Sequence, residues 1–187
     1  PPKPTVDGEP RYEMLEVGFY FGGANRLDRF DAYDVRQAAY WALLAGACGH
    51  TYGHSSIWQM WAPGREAAFG ADVPWYEALD HPGAFQMGLL RKLFEARPWW
   101  KLVPDPSLLA DAPRTGGAKV RAARALDGTF LLAYSPRGAP FAVDRSVLGE
   151  RPGTTRAMGL RSSFTPAPRP ATRPTRRLPR VEGTTGS

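Results

Sequence analysis

The stretch Tyr40-Trp41-Ala42-Leu43-Leu44-Ala45-Gly46-Ala47-Cys48-Gly49-His50-Thr51-Tyr52-Gly53 decides the fold, because in it a helix runs out and a strand begins. Residues 32–46 read as an amphipathic helix, with Val35, Ala39, Ala42, Leu43 and Gly46 at i, i+4, i+7, i+8 and i+11. Asp31 is the expected N-cap and Gly46 the expected stop. Ala38, Ala39, Ala42 and Ala45 are small enough to let this helix approach a sheet closely. Ala47 to Gly53 then reads as a short buried strand that ends in polar and aromatic residues.

The flanks extend the same grammar. Pro4-Thr5-Val6-Asp7-Gly8-Glu9-Pro10 is strand-like and closes in turn residues, and a loop rich in Gly and aromatics runs from Phe19 to Asn25. After the quoted strand, residues 54–80 read as one long loop carrying Trp58, Trp61, Trp75 and Tyr76. A second helix is expected over 82–97, with Phe85, Leu89, Leu93 and Ala96 on one face and Met87, Leu90 and Phe94 beside it. Pro82 suits a first helical turn, and Pro98 ends the helix. Strand, helix, strand, helix is the order of βα units in an α/β fold with a parallel sheet. Two strands alone cannot form a parallel sheet covered on both faces. The chain is therefore expected to be the C-terminal piece of an α/β domain, spanning 1–105.

Beyond Asp105 the pattern changes. Residues 118–126 and 129–135 flank Asp127-Gly128, a strong two-residue hairpin turn, and a third run covers Ala139 to Val143. This predicts a meander, the start of a partial, sandwich-like β-domain over 106–149. Residues 150–187 are Arg- and Pro-rich with a single aromatic, Phe164, and too little apolar surface to offset their ordering entropy; they are expected to be a disordered basic tail. Their codon-like bias toward Arg, Pro, Ala and Gly also fits out-of-frame translation of a GC-rich gene.

Charge and cysteine usage remove several classes of function. The formal net charge of +6 lies wholly in the tail, where eight Arg stand against two Glu, while residues 1–149 hold 16 basic and 16 acidic side chains. A folded basic face that would track nucleic-acid phosphates is thus not supported. No apolar run approaches the ~18 residues of a membrane span. Cys48 is the sole cysteine, so neither a disulfide framework nor a thiolate metal cluster is available.

In α/β folds chemistry sits at the C-terminal ends of the strands. Two segments qualify: Asp7-Gly8-Glu9-Pro10-Arg11-Tyr12-Glu13 and Gly49-His50-Thr51-Tyr52-Gly53-His54. A strand-end carboxylate suits glycosidic cleavage, where two carboxyl groups flank the bond. Glu9 and Glu13 equally fit solvated loop charges or an ion pair with Arg11. His50 and His54 stand at i and i+4, but the intervening residues continue a strand end, so no metal site is expected. His50 fits either a contact to a sugar hydroxyl or carboxylate, or a satisfied core histidine. Tyr12, Tyr52 and Trp58 sit in loops, where an aromatic face can meet the apolar C–H face of a sugar or simply pack the loop.

Three separated motifs resemble one family. Ala39-Tyr40-Trp41 through Gly53 with Ser56-Ile57-Trp58-Gln59, the run Gln86-Met87 to Asp105, and Asp7-Gly8-Glu9-Pro10-Arg11-Tyr12-Glu13 occur in the order of the apiosidase-like glycoside hydrolases, a bacterial family. Residues 118–149 resemble the small C-terminal β-domain of that family, named for collagen binding. The resemblance implies a TIM (β/α)8 barrel of which this chain keeps the last two βα units, and hydrolysis of plant or microbial polysaccharide side chains without a cofactor. It implies Glu9 as nucleophile, Glu13 as its rival, and Asp7, Tyr12, His50, Tyr52, His54 and Trp58 as contacts to an oligo- or polysaccharide substrate. It further implies a periplasmic or secreted protein, an acid/base partner outside this chain, and hence no activity from these residues alone. The competing expectation is a non-catalytic carbohydrate- or matrix-binding protein that uses the loop aromatics and the β-domain.

Overall fold

The computed structural model describes residues 3–20 and 28–149. The chain divides at Thr154 into two units. The second unit, and with it the expected tail, lies outside the described residues, as does most of the Gly-rich loop. Among the described residues no helix is long and apolar enough to cross a membrane.

Strand β1 (Val6–Asp7) and strand β2 (Gly49–His50) pair in parallel, Val6 with Gly49 and Asp7 with His50. Between them lie a short helix α1 (Val17–Tyr20) and helix α2 (Ala32–Leu44). The expected N-cap is in place: the Asp31 carboxylate accepts from the Tyr33 and Asp34 backbone N–H groups, and Asp34 accepts in return from the Asp31 N–H. Such a reciprocal cap satisfies orphan donors of the first turn and stabilises a helix by about 1 kcal/mol. Gly46, in the left-handed region at φ +102°, turns the chain into β2. The β2 segment is only half-buried and Cys48 is exposed, so the expected buried strand is shorter and wetter than its pattern implies.

Residues 54–80 are not one loop. They fold into helix α3 (Ser55–Trp58), a 3-10 turn (Ala68–Gly70) and helix α4 (Trp75–Ala78). Helix α5 (Pro82–Glu95) follows, with Pro82 in its first turn as expected. Its buried face is Gly83, Leu90 and Phe94, whereas Phe85 and Leu89 are 63% and 64% exposed. Of the two expected stripes, the one with Met87, Leu90 and Phe94 faces the core, joined by Leu93 from the other. The reason is that α5 packs on α2 through Leu90 and Phe94, which sit in one core with Ala39, Leu44 and Ala123.

That core joins the two expected domains. Strand β3 (Leu102–Pro104) pairs antiparallel with β5 (Arg121–Ala125), and β5 with β6 (Leu131–Tyr134). Tyr134 of β6 stacks on Tyr40 of α2 with centroids 4.3 Å apart, and the Trp41 indole N–H donates to the Lys119 carbonyl. The limit expected at Asp105 is thus not a break in packing: Leu102–Pro104 belong to the following sheet, and that sheet closes over α2. The Asp127-Gly128 hairpin forms, with Gly128 at φ +67° and Asp127 accepting from Thr129. The third run does not complete a meander. Strand β7 (Ala142–Val143) pairs instead with β4 (Leu109–Ala110), over a second small core of Leu108, Leu109, Val120 and Ala122.

Leu44 is 2% exposed at the centre of the shared core. Leu44→Ala is expected to cost about 3 kcal/mol in denaturant unfolding, through lost transfer energy and a residual cavity. Leu89→Ser, on the exposed face of α5, is expected to stay within about 0.5 kcal/mol of the parent. Equal costs for the two would contradict this assignment of the core.

Candidate functional site

Both parallel strands end at the same place. Beyond Asp7 and His50 the two segments keep company: the Thr51 N–H donates to the Asp7 carbonyl, the Glu13 N–H to Gly53, and the Ser55 N–H to Glu13. The candidate residues of the two motifs are thereby brought to one end of the parallel pair.

At the strand ends, His50 Nδ1 lies 3.0 Å from Asp7 Oδ2. The imidazole is 4% exposed and the Asp7 side chain 32%, so the histidine is held beneath and the carboxylate faces outward. Two residues further on, Glu9 is exposed and has no hydrogen-bond or ion-pair partner among the described residues. Gly8 is not demanded by this turn: its φ is not positive, and a Cβ there would meet nothing within 4 Å. Arg11 does not pair with Glu9 or Glu13. It donates to Gln37, approaches Asp34 at 3.8 Å and lies over the Phe30 ring.

Glu13 has a different environment. It is 2% exposed; one carboxylate oxygen accepts the Tyr52 hydroxyl at 2.6 Å and the other the Gly83 N–H at 3.1 Å. Gly83 is in the first turn of α5, where backbone N–H groups lack helical partners and the helix dipole favours an anion. A Cβ at Gly83 would fall on the Glu13 carboxylate, so only glycine leaves room for the contact. Burial, and then the bond to Glu13, push the Tyr52 hydroxyl far above its ordinary range, which keeps it a donor. Glu13 is therefore a buried carboxylate with a donor on each oxygen, Tyr52 on one and Gly83 on the other. The half-buried Tyr12 ring lies where a Cβ of Gly53 would be.

His54 is buried as well. It is 1% exposed and caps α3, its Nδ1 accepting from the Ser56 N–H at 3.0 Å. The proton must then sit on Nε2, which donates to His81 Nδ1 at 3.0 Å. Burial first, and the neighbouring His81 second, bring its pKa down to about 4. His50 and His54 thus have separate partners, Asp7 and His81. No group of three or more His, Cys, Asp or Glu is placed to hold a metal ion among the described residues.

Of the expected site residues, Glu9 and Trp58 are exposed and Asp7 is partly exposed, Trp58 at 50%. The residues alone do not single out His81 or Gly83. His81-Pro82-Gly83 announces only a helix start, and nothing in it marks the space that Gly83 leaves for a carboxylate 70 positions away.

Two solved structures superpose on this chain with a TM-score of 0.72 each. One is a glycoside hydrolase, 42% identical; the other is a glycoside hydrolase family 5 protein from Bacteroides vulgatus ATCC 8482, 38% identical. Each match covers 80% of this chain and 32% of the solved one. The search of curated proteins found no match. The fold is accordingly part of a glycoside-hydrolase-like α/β architecture. The apiosidase-like catalytic domain matches residues 1–101, more than half of the chain, and the chain belongs to that family. It spans about a third of the length of the two solved proteins.

The His54 geometry sets a pH dependence. Between pH 6.5 and about 4 the unfolded chain binds a proton at this residue and the folded chain does not. The contribution of neutral His54 is full above about 6.5 and is lost as pH falls toward 4, on the order of 3 kcal/mol in total. Thermal melts should show Tm falling across this window, and His54→Asn, which keeps a cap acceptor, should flatten the slope. An unchanged slope in the variant would contradict the assignment.

Proposed function

We propose that this chain is the C-terminal part of a glycoside hydrolase that cleaves O-glycosidic bonds in plant or microbial polysaccharide side chains, with Glu9 as nucleophile. One observation carries the reading: Glu9 is exposed and unpartnered two residues past the C-terminal end of β1, in a chain of the apiosidase-like family. In this reading β1 and β2 are the last two strands of a (β/α)8 barrel, whose chemistry belongs at that end of the strands.

Each residue then has a stated task. The Glu9 carboxylate attacks the anomeric carbon, the glycosidic C–O bond breaks, and water later releases the sugar from the glycosyl-enzyme. Asp7, held by His50 from below, is placed to accept a sugar hydroxyl beside it. Trp58 offers an apolar face to another sugar unit of the same glycan. The proton for the leaving oxygen comes from a second carboxylic acid about 5–5.5 Å away, the spacing that a nucleophilic route requires. That acid is assigned to the two-thirds of the relatives' length that this chain does not span, so the 187-residue chain is expected to be inactive alone.

The test is made in a family-length protein carrying these residues, assayed on aryl glycosides and pectic side-chain oligosaccharides. Glu9→Gln is expected to lower kcat by roughly three orders of magnitude or more while sugar affinity is kept. Near-normal turnover in this variant would remove Glu9 from the role. Retention on glycan without turnover in the parent would favour the non-catalytic binding protein.

A further inference from the structure

We propose that Trp58 and Phe69 together form a stacking platform for a sugar ring of the glycan chain, away from the bond that Glu9 attacks; the proposal rests on the glycoside hydrolase reading. Phe69 has φ +50° and ψ +37°, the left-handed region that a bulky side chain rarely adopts. Such a conformation persists only where the surroundings over-determine it. Here they do so from both sides. The Gln59 side-chain amide grips Ala68 twice, Nε2 donating to its carbonyl at 3.1 Å and Oε1 accepting from its N–H at 2.9 Å, and Nε2 also reaches the Ser55 carbonyl. On the other flank Arg29 donates to the Gly70 carbonyl and lies 3.6 Å from Glu16 and 3.8 Å from Asp72. A Cβ at Gly70 would strike the Glu16 carboxylate.

This strain does not serve the core. The Phe69 ring is 46% exposed, and the Trp58 ring 6.3 Å from it, inclined at 44°, is 50% exposed. A backbone held in a costly conformation in order to present a half-exposed aromatic beside another is the arrangement expected of a binding surface. Trp58 ends the helix that starts five residues after β2, so the pair belongs to the loop rising from the strand end that also bears Asp7 and His50. Two adjoining aromatic faces match the apolar C–H face of a pyranose or furanose. Arg29, Glu16 and Asp72 gather around the adjoining turn, as hydroxyl groups at a sugar rim require.

The test titrates pectic side-chain oligosaccharides into the 187-residue chain, with binding read by saturation-transfer NMR and stability by thermal melts. Phe69→Gly removes the ring and relieves the positive φ, so Tm is expected to hold or rise while affinity falls about tenfold. Trp58→Ala is expected to weaken binding similarly. Phe69→Tyr should keep affinity, and Gln59→Ala should lose it with both rings present. Glu9→Gln should bind as the parent does, which separates this site from the nucleophile. Unchanged affinity in Phe69→Gly and Trp58→Ala, a lowered Tm with affinity intact, or no binding by the parent would overturn the platform. Binding that follows this pattern, together with a family-length protein that never turns over, would sustain the platform and defeat the hydrolytic role of Glu9.

Discussion

The buried Glu13 carboxylate ties the parts of this site together. It lies on the segment leaving β1, accepts the hydroxyl of Tyr52 from the segment leaving β2, and receives the Gly83 N–H from the first turn of α5. One side chain thus joins both strand-end segments to the helix that anchors the core. A carboxylate 2% exposed would be costly without partners, and here each oxygen has one. Gly83 is part of the same constraint, since any side chain there would occupy the carboxylate's place. Glu13 thereby fixes the segment that carries the exposed Glu9.

From that junction the rest of the order follows. Helix α5 starts at Glu13 and His81, and its Leu90 and Phe94 carry it onto α2. Helix α2, narrowed by Ala39, shares one core with α5 and with the β3-β5-β6 sheet. The half-buried parallel pair β1-β2 is held at its end by Asp7–His50 and by the backbone bonds that continue past it. The rigid framework is therefore packed away from the strand ends, and the open polar groups stand at them, as expected of a site carried on a scaffold.

Much of this was legible in the residues themselves. The Asp31 cap, the Gly46 stop, the Pro82 start and the Asp127-Gly128 turn are local chemistry, and each occurs where its residues demand it. What was not legible depends on partners distant in sequence. Leu89 and Leu90 are neighbours of one type, and only the position of α2 decides which is buried. Glu9 and Glu13 share a motif and a charge, yet one is exposed and the other sealed by Tyr52 and Gly83. The strained Phe69 had no local signature, because the forces that hold it come from Gln59 and Arg29. Pairing of β7 with β4 rather than β6 is likewise a choice made by the second small core.

The free Glu9 beside the sealed Glu13 is the centre of this account, and covalent trapping reads it most directly. A family-length protein carrying this chain would be incubated with a fluorinated glycoside that forms the glycosyl-enzyme but releases it slowly, then digested and sequenced by mass spectrometry. A nucleophilic Glu9 predicts one adduct, on the Glu9 carboxylate, with no label on Glu13 or Asp7. Label on another residue, or turnover with inverted anomeric configuration and no adduct, would contradict it.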